Sequence, residues 1–114
     1  MATTTVSEYV SRLMSDKKFL LEACRNIPDE LVQDERASES TEDAANEQAL
    51  EDLANMMGRY FSAASEAMGY DFGEGEVAAE CKRQLGALKR FAKVRFIVRF
   101  LKTLVKAGKG KKRK

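Results

Sequence analysis

The chain contains no histidine and no tryptophan, a single proline, only two cysteines, and no carboxylate after Glu80. Each shortage excludes something. Without histidine, the commonest acid–base residue and metal ligand is missing, so catalysis and a resident cofactor or metal are not expected. Cys24 and Cys81 can pair only if folding brings them together, and a cytoplasmic chain is expected to keep both reduced. Charges interrupt every apolar run before it reaches the length of a bilayer span. The amino terminus lacks the basic-then-apolar order of a secretory signal, so the expected location is cytoplasmic. With 114 residues, the chain suffices for one small domain with little spare core.

Charge is nearly balanced in total and strongly divided along the chain. Residues 1–81 hold all 18 carboxylates and only six of the 20 cations, Arg12, Lys17, Lys18, Arg25, Arg36 and Arg59. The other 14 cations lie from Lys82 onward. Such a split says more than the overall charge of +2, because it sets an acidic body against a basic end.

Helical periodicity accounts for most of the acidic part. Thr5 and Glu8 have the Thr-x-x-Glu spacing of a capping box, opening a helix from Val6 to about Met14 with Val6, Tyr9, Val10 and Leu13 on one face. Ser15 and Asp16 suit the cap of a second helix that turns Phe19, Leu20 and Ala23 inward. Asn26 to Glu30 starts a short third helix, with Pro28 at its first position. Residues 36–48 are polar, acidic and free of large apolar side chains, and are expected to be a mobile loop or extended helical start. Leu50, Leu53, Met57, Tyr60, Phe61, Ala64 and Met68 then recur at three and four residues, forming a central helix.

That helix runs into Met68-Gly69-Tyr70-Asp71-Phe72-Gly73-Glu74-Gly75-Glu76-Val77. Gly69 stands where a left-handed residue closes a helix, and Tyr70 can fold back on the last turn. Gly73 reads as the next N-cap, Phe72 and Val77 as a hydrophobic staple, and Glu76 as the residue that bonds back to the cap. The words Ala63-Ala64-Ser65-Glu66-Ala67-Met68-Gly69-Tyr70-Asp71-Phe72, followed by acidic residues, resemble the signature of the Nif-eleven-type leader family. Residues 6–20, with their Ser-Asp break, are similar to the opening helices of that family. The resemblance covers roughly residues 5–26 and 55–86, with residues 27–54 as an insertion. It implies a leader region gripped by a maturation enzyme or peptidase-transporter, with Tyr70, Asp71, Phe72 and Glu76 as partner-binding residues. It also implies a carboxy-terminal segment that is released. Small-residue pairs that fit a leader junction are Gly86-Ala87 and Ala107-Gly108. Beyond Gly86-Ala87, Thr103 is the only hydroxyl residue, beyond Ala107-Gly108 there is none, and no cysteine follows either pair, so thioether rings have no substrate.

The last apolar–basic stretch is expected to be a helix reaching from about Glu74 to Lys106. Its apolar face shifts along its length. Cys81, Leu85, Leu88 and Ala92 share one side, whereas Val94, Ile97, Val98, Leu101, Leu104 and Val105 share another, about half a turn away. The helix must therefore bend near residues 91–93 or offer its later stripe to another partner. Arg95, Arg99, Lys102 and Lys106 repeat at four, three and four, and Lys111, Lys112 and Arg113 continue the charge in a basic tail. This end admits an anionic membrane surface, a nucleic acid or a protein groove as its target, besides simple packing on the body. The expected architecture is all-α, with an acidic leader-like body at 1–87 and a basic amphipathic helix and tail at 88–114. The expected function is a leader-type peptide precursor with a cationic carboxy-terminal segment. The alternative is a small non-enzymatic nucleic-acid-binding protein. Weak exposed charge pairs are expected to hold the basic segment to the body.

Overall fold

A computed structural model describes residues 4–33 and 47–108, with the side chains of 33 and 47–49 left aside. The polar insertion therefore lies almost wholly outside the described residues. The described chain is all-α: α1 (Val6–Ser15), α2 (Lys17–Arg25), α3 (Asp29–Gln33), α4 (Glu47–Ala67), α5 (Glu74–Gly86) and α6 (Arg90–Lys106).

The local rules explain the boundaries. The Thr5 hydroxyl accepts from the Glu8 N–H at 3.1 Å, and the Thr5 N–H donates to Glu8 Oε1 at 3.0 Å, so the capping box at the start of α1 is complete. Asp16 ends α1 and caps α2, its Oδ1 accepting from the N–H groups of Lys18 and Phe19. Ser15 belongs to α1 instead, its hydroxyl donating to the Ser11 carbonyl. Pro28 sits one residue ahead of α3, and its carbonyl accepts from Leu31.

At the α4–α5 corner, Gly69 has φ of 95°. Tyr70 N–H donates to the Ser65 carbonyl at 2.8 Å and Gly69 N–H to the Glu66 carbonyl at 3.2 Å, the double bond of a Schellman ending. Gly73 is the N-cap of α5, and its N–H donates to Glu76 Oε1 at 3.2 Å.

One cluster of buried side chains runs through the fold. It joins Tyr9, Val10 and Leu13 of α1 to Phe19, Leu20, Ala23 and Cys24 of α2, and to Met57, Tyr60, Phe61 and Ala64 of α4. Val77, Cys81 and Leu85 of α5 and Phe96, Ile97, Phe100 and Leu104 of α6 complete it. The most extensive helix pair is α4 with α5; α1 lies on α5 and α2, and α6 lies on α2. The α4–α5 approach is close because Gly58 faces it. A Cβ there would stand 2.6 Å from Ala78 Cβ and 2.9 Å from the Glu74 carbonyl oxygen.

Two expectations for the carboxy-terminal helix need correction. It is not one rod: α5 ends at Gly86 and α6 begins at Arg90, so the break precedes 91–93. Lys89 is extended, at φ −70° and ψ 158°. The interruption lets the two apolar faces point in different directions, which a straight helix does not allow. The buried face of α6 is also turned by about a quarter turn from the expected stripe. Phe96, Ile97, Phe100 and Leu104 are buried, Val94, Val98 and Leu101 are half-buried, and Val105 is 63% exposed. The two phenylalanines carry the largest apolar areas on the helix, and burying them governs its rotation.

Gly69→Ala and Gly58→Ala separate two costs. At Gly69 nothing lies within 4 Å of a new Cβ, so only the left-handed backbone is strained, and a loss of about 1 kcal/mol is expected. At Gly58 the backbone is helical and alanine is intrinsically favoured, yet α4 and α5 must separate. A net loss of about 1–3 kcal/mol is expected from overpacking. Urea melts of both variants measure this, and a Gly58→Ala protein as stable as the parent would show that the helices have room to move.

Tyr9→Phe keeps the ring and removes a buried hydroxyl that donates to the Phe61 carbonyl at 2.7 Å. The expected loss is about 1 kcal/mol, read in the same melts, because that carbonyl keeps its helical partner.

Candidate functional site

The residues with candidate roles fall in three places: the α4–α5 corner, the α5–α6 junction and the outside of α6. At the corner, Tyr70 and Phe72 are half-buried and stack on one another with centroids 5.6 Å apart. Both rings also lie against Tyr9, at 5.6 Å and 5.1 Å. The Phe72 carbonyl accepts from the Ser62 hydroxyl at 2.7 Å. Glu76 is engaged with the Gly73 N–H, whereas Asp71 is exposed. The structure thus brings the four corner residues into one turn and gives three of them a structural task.

At the junction, Gly86 and Ala87 are both exposed. Upstream of them, a polar network ties α5 to the start of α1. Gln84 Nε2 donates to the Ser7 carbonyl at 3.0 Å and to Glu80 Oε2 at 2.8 Å, and Arg83 donates to Glu80. These donors hold the Glu80 carboxyl below its ordinary range, Arg83 contributing most. The second small-residue pair lies at the end of α6: Ala107 is half-buried and packed on the core, and Gly108 has φ of 82°.

On α6, Arg95, Lys102 and Lys106 are exposed and Arg99 is half-buried, its Nη1 donating to the Met14 carbonyl at 3.3 Å. The helical spacing places all four on one outward strip. Val94, Arg95, Val98, Arg99, Lys102, Thr103 and Lys106 line an open groove of about 490 Å³, and Lys17 at the start of α2 also lines it. Among the described residues, no carboxylate forms an ion pair with a cation of α6. Among the described residues, then, apolar burial and the Arg99–Met14 hydrogen bond hold this helix to the body rather than charge pairs; the carboxylates of residues 34–46 lie outside the described residues. Lys111, Lys112 and Arg113 lie outside the described residues.

Three contributors were not visible in the sequence pattern. Lys17 becomes a groove wall only because α2 packs beside α6. Phe91, 73% exposed, and Val105 are the two large apolar residues most open to solvent among the described residues. Their signal was the number of apolar positions on α6, more than one face can bury. The Arg95 guanidinium lies over the Phe91 ring, 5.6 Å from its centroid.

A scan of protein-family models and searches of curated proteins and solved structures return no match to this chain. Among the described residues, no helix is long and apolar enough to cross a membrane, and no group of three or more His, Cys, Asp or Glu is placed to hold a metal ion.

The two thiols are free and buried. Burial pushes both from an ordinary value of 9.0 up to about 12, and raises the Tyr9 hydroxyl as well. The folded state therefore holds these protons where the unfolded chain releases them. Stability from this source is complete below pH 9 and falls as pH rises towards 12. A thiol reagent should label neither cysteine in the native protein at pH 8 and both after unfolding, while the denaturation midpoint falls steadily above pH 9. Rapid native labelling would show that the surrounding helices open.

Proposed function

We propose that this chain is a non-enzymatic binding protein of the leader type. In this reading the acidic body, residues 1–87, is gripped by a maturation enzyme or a peptidase-transporter. Residues 88–114 are the cationic amphipathic segment that it carries. The observation that supports it is the row Arg95, Arg99, Lys102 and Lys106, outward on a helix whose other face is anchored, with no described carboxylate against it. Unneutralised charge of one sign on a fixed surface attracts an anionic partner and raises its rate of encounter.

The corner and the junction have places in the same reading. Asp71, beside the half-buried rings of Tyr70 and Phe72, is the patch a maturation partner would read. Gly86-Ala87, exposed between two helices, is the more accessible junction for a peptidase. A segment freed there must first withdraw Phe96, Ile97, Phe100 and Leu104 from the core. Release is therefore a step for the partner to drive, and the held form is inert towards anything that needs those residues. The alternative reading, nucleic-acid binding, uses the same row as a set of phosphate contacts without sequence preference.

The test replaces the row with glutamine, Arg95→Gln, Arg99→Gln, Lys102→Gln and Lys106→Gln together, in the full-length protein. Binding to anionic vesicles and to duplex DNA is measured across a salt series. At low salt the parent should bind an anionic surface at least about tenfold more tightly than the variant. Equal binding by both, with equal melting temperatures, would show that the row is not the working surface. Tight, steeply salt-dependent binding confined to DNA would favour the alternative.

A further inference from the structure

The buried face of α6 leaves a second apolar line unaccounted for. Phe91, Val94, Val98, Leu101 and Val105 recur at three, four, three and four residues, so they form one seam along the helix. Among the described residues, Phe91 and Val105, at its two ends, are the large apolar residues most open to solvent; Val94 and Val98 are half-buried, and Leu101 is half-buried with part of its side chain against the core. At about 1.5 Å per residue the seam is roughly 21 Å long. The cationic row lies along its flank, Arg95 reaches over Phe91, and Val94 and Val98 line the groove with Lys17 and the four cations. The helix thus has three strips: phenylalanines turned into the body, a valine-rich seam turned out, and cations beside that seam.

We infer that α6 is a docking surface for an anionic lipid bilayer, used while the helix stays packed in the body. The seam enters the headgroup–acyl boundary, and Arg95, Arg99, Lys102 and Lys106 meet lipid phosphates. Charge complementarity and the apolar seam together select this occupant. Phosphates of any polymer would satisfy the cations, but the valines gain nothing from a phosphate and offer no ring on which a base can stack, and Phe91, the seam's single ring, has the Arg95 guanidinium over its face. They gain by leaving water, which a bilayer interface permits along the whole length of a helix lying flat. The sequence continues from α6 into Lys109, Lys111, Lys112, Arg113 and Lys114, the kind of basic cluster beside an amphipathic helix that anionic lipid attracts. This inference rests on the outward cationic row proposed above and adds the seam, which that row does not require.

The chain has no tryptophan, so Phe91→Trp and Val105→Trp each give a single reporter in the full-length protein. Vesicles are made of equal parts phosphatidylcholine and phosphatidylglycerol, or of phosphatidylcholine alone, with duplex DNA as the competing polyanion. The expected result is a blue shift of both reporters on the anionic vesicles only. Part of it should persist at salt that releases DNA. Cys24, on the helix that α6 packs against, should remain unreactive to a thiol reagent while bound. The double variant Phe91→Ser with Val105→Ser removes only exposed side chains. It should melt like the parent yet lose about tenfold of its salt-resistant vesicle binding.

Vesicle binding with no blue shift, entirely dissociated by salt, would overturn the seam and leave the cationic row standing. Exposure of Cys24 on vesicles would overturn docking in the packed state, since α6 would then have left the body. Binding to DNA but not to vesicles would overturn the lipid assignment. Binding to neither would overturn the cationic row together with the seam.

Discussion

The contact on which the fold most depends is the one made by Tyr9. Its hydroxyl is fully buried and donates to the main chain of α4 at Phe61, 52 residues away. Its ring meets Phe19 of α2 edge-on at 5.8 Å, and it also lies against Tyr70 and Phe72 of the corner. One side chain thus fixes α1, α2, α4 and the α4–α5 turn relative to one another. A tyrosine suits the task because its ring fills apolar space while its hydroxyl must donate to an acceptor in good geometry, which makes the position selective as well as adhesive. The α4–α5 corner is, physically, the lid on that ring.

The opposite division of labour holds α6. Its attachment is mainly apolar, through Phe96, Ile97, Phe100 and Leu104, with Phe61 and Phe100 meeting at 5.6 Å and the Arg99–Met14 hydrogen bond beside them. Exposed ion pairs contribute little to stability and are screened by salt, whereas buried aromatic area is not. A basic helix anchored in this way keeps its charges for solvent or for a partner. An acidic body and a basic end in one sequence invite the picture of two halves neutralising each other. Here the cations of α6 form no ion pair with a described carboxylate.

Much of the fold was legible because short-range rules fix it. The Thr5–Glu8 box, the Asp16 cap, the left-handed Gly69 and the Gly73–Glu76 cap each depend on atoms within a few residues, and each appears where the spacing placed it. The rotation of α6 was not legible. Nine or more apolar residues on one helix admit two stripes of nearly equal length, and periodicity scores them alike. What separates them is which rings fit between α2 and α4, a long-range condition that no local spacing carries. The candidate site has the same two origins. The cationic row follows helical spacing and was readable, while Lys17 and the outward seam depended on neighbours.

By itself, then, the sequence determined the helices, their caps, the sharp corner and the separation of acidic from basic charge, because these follow from hydrogen bonds and periodicities closed within a turn or two of chain. Only the tertiary structure decided where α5 stops and α6 restarts, which face of α6 is buried, and that its cations make no ion pair with a described carboxylate. Those outcomes are set by competition among apolar surfaces for one small core, in which Phe96 and Phe100 win the interior and leave Phe91 and Val105 outside.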